Sequence, residues 1–327
     1  MTKRTIQNIG VFTSGGDSPG MNAAIRAVVR TALYYNVEVT GILRGYDGLI
    51  SGDFLPMERK SVANIIQRGG TVLKTARSEE FRTKAGREKA YKQIKSHKID
   101  ALVAIGGDGT FTGANIFYDE FKVPVIGLPG TIDNDLIGTD FTIGYDTAIN
   151  TVIEAVDKIR DTAESHDRLF IVEVMGRDSG LIALRSGIGT GAEAILIPET
   201  RTDINALLAR LEVSRRDKSS KIIIVAEGDD AGGAFEIANV VKDKFPLIDT
   251  RVSILGHIQR GGAPSCMDRV LASRLGVAAV ESLLEGKTGE MIGIVHGKIH
   301  FTPFGQAIKH NTDVNSELLK IVEILSL

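Results

Sequence analysis

Four short strand-like runs in this chain, three of them mainly apolar, each lead into a glycine-rich turn. Ile9–Thr13 leads into Ser14-Gly15-Gly16-Asp17-Ser18-Pro19-Gly20, and Asp100–Ile105 into Gly106-Gly107-Asp108-Gly109-Thr110. Val123–Leu128 leads into Pro129-Gly130-Thr131-Ile132-Asp133-Asn134-Asp135, and Arg251–Leu255 into Gly256–Pro264. A short run that is apolar throughout reads as a strand covered on both faces. Such strands joined by helices make parallel sheets, and open parallel sheets take ligands at the carboxyl ends of their strands. Glycine at those ends lets the backbone come close to an anion, and a following helix turns its first N–H groups toward it.

The segments between these runs agree with this reading. Pro19–Tyr35 places Ala23, Ala24, Ala27, Val28 and Leu33 at helical spacing, with Arg26 and Arg30 on another face. Asp146–Thr162 does the same with Ile149, Val152, Ile153, Val156 and Ile159. Further strands are predicted at Val37–Leu43, Leu169–Met175, Ala194–Ile197 and Lys221–Ala226. Further helices are predicted near Asp178–Gly187, Asp203–Arg216, Gly233–Phe245 and Met267–Leu284. The fold class is α/β: two Rossmann-like domains, each a largely parallel sheet with helices on both faces. A chain of 327 residues suits two domains. The change of domain is expected near Gly138 and the return near Gly256. That gives one domain of residues 1–138 plus about 256–305, and a second of about 139–255 plus 306–327.

Composition excludes several classes. Lys+Arg number 39 against 41 Asp+Glu, a net charge of −2, which does not suit a strongly basic nucleic-acid binder. A single cysteine, Cys266, cannot close an intrachain disulfide. No apolar run approaches the ~20 residues of a membrane span, so a cytoplasmic enzyme is expected. Glycine numbers 36, about 11% against a usual ~7%.

The turns carry chemistry. Thr13–Gly20 fits an anion site, although alone it also suits a plain strand–helix turn. It matches neither the P-loop nor the dinucleotide fingerprint. In Gly106–Thr110 two glycines clear room for phosphates, and Asp108 offers a carboxylate to Mg²⁺ or caps the helix. Asp133 and Asp135 lie two apart, so an extended segment would turn both to one side, as a general base and a metal-associated carboxylate. Arg77, Arg82, Arg168, Arg177, Arg251, Arg260 and His257 lie near glycines, and Arg177 and Arg260 fall just past predicted strands. Arginine forks match phosphate oxygens. Anion-binding turns, two carboxylates and several arginines together suggest phosphoryl transfer between phosphorylated small molecules.

In this order the motifs SGGDSPGMNAAIR, GGDGT, PGTIDND, VEVMGR and LGHIQRGG resemble those of the ATP-dependent 6-phosphofructokinases of bacterial type, from Ile9 to about Leu284. The resemblance implies that 1–138 plus about 256–305 binds ATP and that the other domain binds fructose 6-phosphate. It implies ATP contacts at Gly16, Arg77, Ser78, Gly107, Asp108, Gly109 and Thr110. Ser78 stands where well-known relatives carry an aromatic residue. Mg²⁺ would lie at Asp108 and Asp135. Asp133 would take the proton of the sugar 1-hydroxyl, assisted by Thr131, Arg77 and Arg177. Fructose 6-phosphate would meet Thr131, Ile132, Asp133, Met175, Gly176, Arg177, Glu227, His257, Ile258, Gln259 and Arg260. Arg168 and Arg251 match residues that reach the sugar 6-phosphate from a neighbouring subunit, which implies a homotetramer with shared sites.

Arg26, Arg30, Arg59, Arg160, Arg216 and Lys218, with Gly191 and Glu193, match a site for nucleoside diphosphate or phosphoenolpyruvate. Arg26 and Arg30 are one helical turn apart and can face one anion; a solvated basic helix face is the other reading. Gly109 and Gly130 stand where pyrophosphate-dependent relatives carry Asp and Lys, which favours ATP as donor. Two rivals remain: a pyrophosphate-dependent enzyme of the same fold, and a nucleotide-binding regulatory subunit without catalysis.

Overall fold

The computed structural model describes residues 6–214, 221–308 and 316–325. The described chain divides into two compact units. The first holds residues 6–132, 136–147 and 260–308, and the second holds 133–135, 148–214, 221–259 and 316–325.

The first unit is built on a seven-stranded sheet. Its strands are β1 (Asn8–Thr13), β2 (Glu38–Ile42), β3 (Phe54–Pro56), β4 (Ala101–Gly106), β5 (Val125–Pro129), β10 (Glu290–Val295) and β11 (Lys298–Pro303), in the order β11-β10-β5-β4-β1-β2-β3. The five inner strands are parallel, while β3 and β11 close the edges antiparallel. Every residue of β1, β4 and β5 is buried, which is why these strands read as unbroken apolar runs. Helices α1 (Met21–Tyr34) and α9 (Cys266–Glu285) pack on one side with Ile9, Val11, Val103, Ile105 and Leu128. Gly276 of α9 faces Ala27 of α1 so closely that a Cβ there would lie 2.5 Å from the alanine Cβ. Helices α2 (Gly45–Ser51), α3 (Lys84–Ser96), α4 (Asp108–Phe121) and α10 (Phe304–Ala307) accompany the other core, with Phe12, Leu102, Phe111, Phe117 and Phe304.

The second unit holds four parallel strands: β6 (Leu169–Val174), β7 (Ala194–Leu196), β8 (Lys221–Ala226) and β9 (Thr250–Ile254), in the order β7-β8-β6-β9. Its helices are α5 (Tyr145–Ser165), α6 (Leu181–Thr190), α7 (Ile204–Ser214), α8 (Ala234–Lys244) and α11 (Ser316–Leu325); α5 takes its first three residues from the first unit. Leu169, Ile171, Ile223 and Val225 form its core with Leu211, Ile237 and Val241.

The change of unit falls at 147/148, past the expected Gly138, with 133–135 already in the second unit, and the return falls at 259/260, close to Gly256. Residues 136–147 stay with the first sheet because their backbone is bonded there. Ile137 N donates to Ala307 O and Ile143 N to Pro129 O. Residues 306–308, expected with the second unit, also belong to the first. Among the described residues no helix is long and apolar enough to cross a membrane.

Candidate active site

In the first unit, three turns meet at the carboxyl ends of β1, β4 and β5. Ser14 N donates to Ile105 O, the Thr110 hydroxyl to Ser14 O (3.1 Å), and Gly130 N to Gly106 O. These bonds tie the three glycine-rich turns to one another. Asp108 opens α4, half-buried, with Gly107 before it. A Cβ on Gly109 would meet nothing within 4 Å, so this position faces open space. A Cβ on Gly130 would lie 3.0 Å from Ile105 Cγ2 and 3.1 Å from Met21 Cε, so that position is filled. Arg260 lies against Gly16: its Nη1 donates to Asp17 O (3.3 Å), and a Cβ on Gly16 would lie 2.5 Å from it.

The stretch leading into Arg77 and Ser78 is fastened at several points. Asn22 of α1 bonds Arg68 O, Gly69 O and Val72 N, and the Thr75 hydroxyl donates to Gly15 O (2.7 Å). Arg77 itself is exposed. The Ser78 hydroxyl accepts from Phe81 N, and Phe81 stacks on Tyr46 with centroids 3.9 Å apart. The Tyr46 hydroxyl donates to Thr110 O, and burial pushes its pKa well up. Neither Asn22 nor Tyr46 was singled out from sequence, because nothing local marks an asparagine or a tyrosine as a loop fastener.

The Pro129–Asp135 turn departs from expectation. Asn134 has a left-handed φ of 53°, so Asp133 and Asp135 do not stand on an extended segment, and the same-side argument does not apply. Thr131, Ile132, Asp133 and Asp135 are all buried, and the Thr142 hydroxyl donates to Thr131 O (2.6 Å).

In the second unit, Arg177 follows β6 in a left-handed conformation, φ 54°, after Gly176 at φ 148°. Both backbone N–H groups donate to one oxygen of Glu227, at 3.2 and 2.8 Å, from the turn after β8. The Arg177 side chain places Nε 3.7 Å from Asp133 Oδ2. The arginine and the buried aspartate, 44 positions apart, are thus brought together. Gln259 is fully buried and spends its amide on Met175 N and Gly256 O. His257 and Ile258 beside it are exposed.

Arg168 and Arg251 converge elsewhere. Arg168 Nε lies 2.7 Å from Asp249 Oδ2, and Arg251 Nε 2.8 Å from Asp249 Oδ1. The hydrogen bond from Arg168, then that from Arg251, hold the Asp249 carboxyl below its ordinary range. Both arginines sit at the amino ends of β6 and β9, whereas Arg177 and Glu227 follow carboxyl ends. β6 has 6 residues, so the two groups stand roughly 20 Å apart along the sheet at ~3.3 Å per residue.

Arg26 and Arg30 do share a face of α1. Burial first, and then the Arg30 charge, lower the Arg26 pKa, and the buried Arg30 Nε has no hydrogen-bond partner among the described residues. Arg59 is exposed. Arg160 donates to Thr190 O, next to Gly191, and Glu193 is buried two residues on, its carbonyl accepting from Arg210. Arg216 and Lys218 lie outside the described residues. Among the described residues no group of three or more His, Cys, Asp and Glu is set to hold a metal ion. A single carboxylate such as Asp108, half-buried beside Gly107, is the kind of donor Mg²⁺ accepts when phosphate and water oxygens complete its shell.

Comparison with known proteins identifies the family. Residues 8–283 match the family model described as Phosphofructokinase. The chain is 57% identical over 322 residues to the ATP-dependent 6-phosphofructokinase of Cytophaga hutchinsonii, covering 98% of each chain. It is 55% identical over 323 residues to ATP-dependent 6-phosphofructokinase 1 of Thermus thermophilus, covering 98% of this chain and all of that one. Among solved structures, phosphofructokinase from Saccharomyces cerevisiae aligns with TM-score 0.88 at 39% identity over 98% of this chain, which spans 47% of the yeast chain. A pyrophosphate-dependent phosphofructokinase from Marinobacter aquaeolei, TM-score 0.84 at 22% identity over 98% of this chain and 91% of that one, shares the fold. The chain belongs to the phosphofructokinase family, of the bacterial ATP-dependent type.

Proposed function

We propose that the chain transfers the γ-phosphoryl group of ATP to the 1-hydroxyl of D-fructose 6-phosphate, giving fructose 1,6-bisphosphate and ADP, the committed step of glycolysis. The observation that carries this reading is the buried Asp133 carboxylate held 3.7 Å from Arg177 Nε. Asp133 accepts the hydroxyl proton as the sugar oxygen attacks the γ-phosphorus, and the bond to the bridging oxygen breaks to release ADP. Arg177 and Arg77 offset the charge spread over the transferring group, which is most of what this chemistry asks of a protein. Thr131 orders the same turn. Asp108 and Asp135 would hold Mg²⁺, which would supply charge neutralisation on the donor phosphates.

The open space at Gly109 supports ATP as donor, since a side chain there would take room that an α-phosphate needs. The filled space at Gly130 speaks against a lysine reaching pyrophosphate from that position. Gly16, Gly107 and Thr110 line the same turns. Met175, Gly176, Glu227, His257, Ile258 and Gln259 of the second unit, with Ile132 and Arg260 of the first, would serve the sugar phosphate.

The distance between Arg168–Arg251 and Arg177–Glu227 supports a site shared between copies. A sugar phosphate is far shorter than roughly 20 Å, so the two groups serve different substrate molecules within one chain. A homotetramer with shared sites accommodates this. Two adjacent guanidinium groups at Arg26 and Arg30 support an anionic effector, a nucleoside diphosphate or phosphoenolpyruvate, with Arg59, Arg160, Gly191 and Glu193 contributing. A cytoplasmic place fits these substrates.

The test is product formation from fructose 6-phosphate with Mg²⁺, offering ATP and pyrophosphate in parallel. Fructose 1,6-bisphosphate with ATP alone is the expected result. Product with pyrophosphate alone would overturn the donor assignment, and product with neither would overturn the reaction.

A further inference from the structure

The carboxylate of Asp268, on the first turn of α9, is 1% exposed and lies outside every motif assigned above. It accepts hydrogen bonds from Gly144 N (2.9 Å), from Thr147 N (2.8 Å) and from the Thr147 hydroxyl. Those amides belong to the start of α5, where the first N–H groups of a helix lack partners of their own. Asp268 thus caps a helix whose first residue lies more than a hundred positions earlier in the chain. Thr147 Oγ1 also accepts from Ser265 N (2.9 Å), and Ser265 Oγ accepts from Asp268 N (3.2 Å). The amino ends of α5 and α9 are locked in one closed ring of bonds. Burial raises the Asp268 pKa, while the Thr147 hydroxyl and then the Gly144 and Thr147 amides oppose that rise.

The ring sits where three turns of the proposed site are anchored. Gly144 has φ 105°, and a Cβ there would lie 2.6 Å from Ser18 Cβ in the first glycine-rich turn. A Cβ on Gly20 would lie 2.7 Å from Ile143 Cγ2 and 3.5 Å from Asp268 Cβ. One residue before Gly144, Ile143 N donates to Pro129 O, and Thr142 Oγ1 donates to Thr131 O. The path from Asp268 to Thr131 therefore runs through Gly144, Ile143 and Thr142 without a gap.

We infer that Asp268 is a positioning residue for phosphoryl transfer: by clamping Gly144 and Thr147 it fixes the limb that carries Thr131 and leads directly into Asp133. This rests on the function proposed above. Placement matters at this scale, because a shift of about 1 Å in a reacting group costs ~10²-fold in rate. Asp268→Asn keeps the shape but turns an amide NH₂ toward N–H donors, so one bond becomes a donor–donor contact.

The experiment measures kcat and KM for ATP and fructose 6-phosphate in Asp268→Asn, Thr147→Val and Thr147→Ser, each checked for folding by thermal melting. Asp268→Asn should lower kcat by ~10²-fold with both KM values within about threefold of wild type. Thr147→Val, which removes the hydroxyl but keeps the volume, should lower kcat about tenfold, and Thr147→Ser should restore it. The double variant should be no slower than Asp268→Asn alone, since both act on one ring. A folded Asp268→Asn or Thr147→Val with wild-type kcat, or a loss carried by KM alone, overturns the inference. If Asp268→Asn fails to fold, the Thr147 pair decides. If the wild type itself turns over neither donor, the proposed function has failed, and amide exchange of residues 129–147 decides the clamp. Faster exchange there in Thr147→Val, with β1 unchanged, supports the clamp, and unchanged exchange overturns it.

Discussion

Replacing Glu227 by alanine tests whether Arg177 is held in place or merely happens to sit there. A left-handed conformation at a residue with a Cβ costs roughly 1–2 kcal/mol, and Arg177 adopts it with φ 54°. What opposes this cost is the pair of N–H bonds from Gly176 and Arg177 to one Glu227 oxygen. Because Glu227 is exposed, each bond merits only about 1 kcal/mol. The two terms nearly balance, so removing the carboxylate frees the turn to relax and carries the guanidinium away from Asp133. A loss of about 2 kcal/mol expressed in the transition state is ~30-fold in kcat. Glu227→Gln keeps an acceptor in place and should lose about fivefold. Steady-state kinetics with ATP and fructose 6-phosphate, with thermal melting as control, separate the possibilities. A Glu227→Ala enzyme with kcat within about threefold of wild type and only a raised KM for the sugar phosphate would mean that Glu227 acts as a uniform ligand, and would refute the reasoning.

Gly109→Asp should fold with an unchanged melting temperature, because its Cβ enters open space. ATP turnover should still fall by ~10²-fold or more, since a carboxylate about 5 Å from a phosphate costs on the order of 3 kcal/mol at an effective dielectric of ~20; an active variant would remove the donor argument. Asp249→Asn weakens the bridge that aligns Arg168 and Arg251, so KM for fructose 6-phosphate should rise up to about tenfold with KM for ATP unchanged. The folded Asp249 pKa lies below its ordinary 3.8, so the stability it contributes is present above that pH and lost as pH falls through the folded value. Melting curves of wild type and Asp249→Asn should therefore converge below pH ~4. Millimolar inorganic phosphate should raise the melting temperature of the wild type and not of Arg30→Ala, if the buried Arg30 Nε awaits an anion.

The parts legible in the sequence share a physical cause. β1, β4, β5 and β8 are buried on both faces, so their apolar runs and the glycine turns after them stand out with no knowledge of the partner strand. The edge strands β3 and β11 lack such runs and are not predicted, and neither is β10, an inner strand whose buried run is only Met291–Ile294 and includes Gly293. β3 is three residues ending in Pro56, and the hairpin from β10 to β11 turns on His296-Gly297, both with positive φ, where asparagine–glycine is the usual signal. Glycine turns also stood out as candidate anion sites, because the strand end and the helix start are local. What local pattern could not show was how the turns are held.

The line Asp133-Asn134-Asp135 suggested an extended pair of carboxylates, yet Asn134 turns left-handed, a conformation that asparagine tolerates and that a period-two argument does not foresee. Asp249 meets Arg168 across 81 positions, and Asp268 meets Thr147 across 121. In both cases the partner is chosen by strand register or helix packing, so neither aspartate differs in sequence from a surface charge. The residues proposed to touch ligands sit on local turns and announce themselves by type and spacing. The residues that hold those turns rigid are set by tertiary contacts, and so a substitution harmless by local pattern, Asp268→Asn, is expected to cost as much turnover, ~10²-fold, as Gly109→Asp in a recognisable motif.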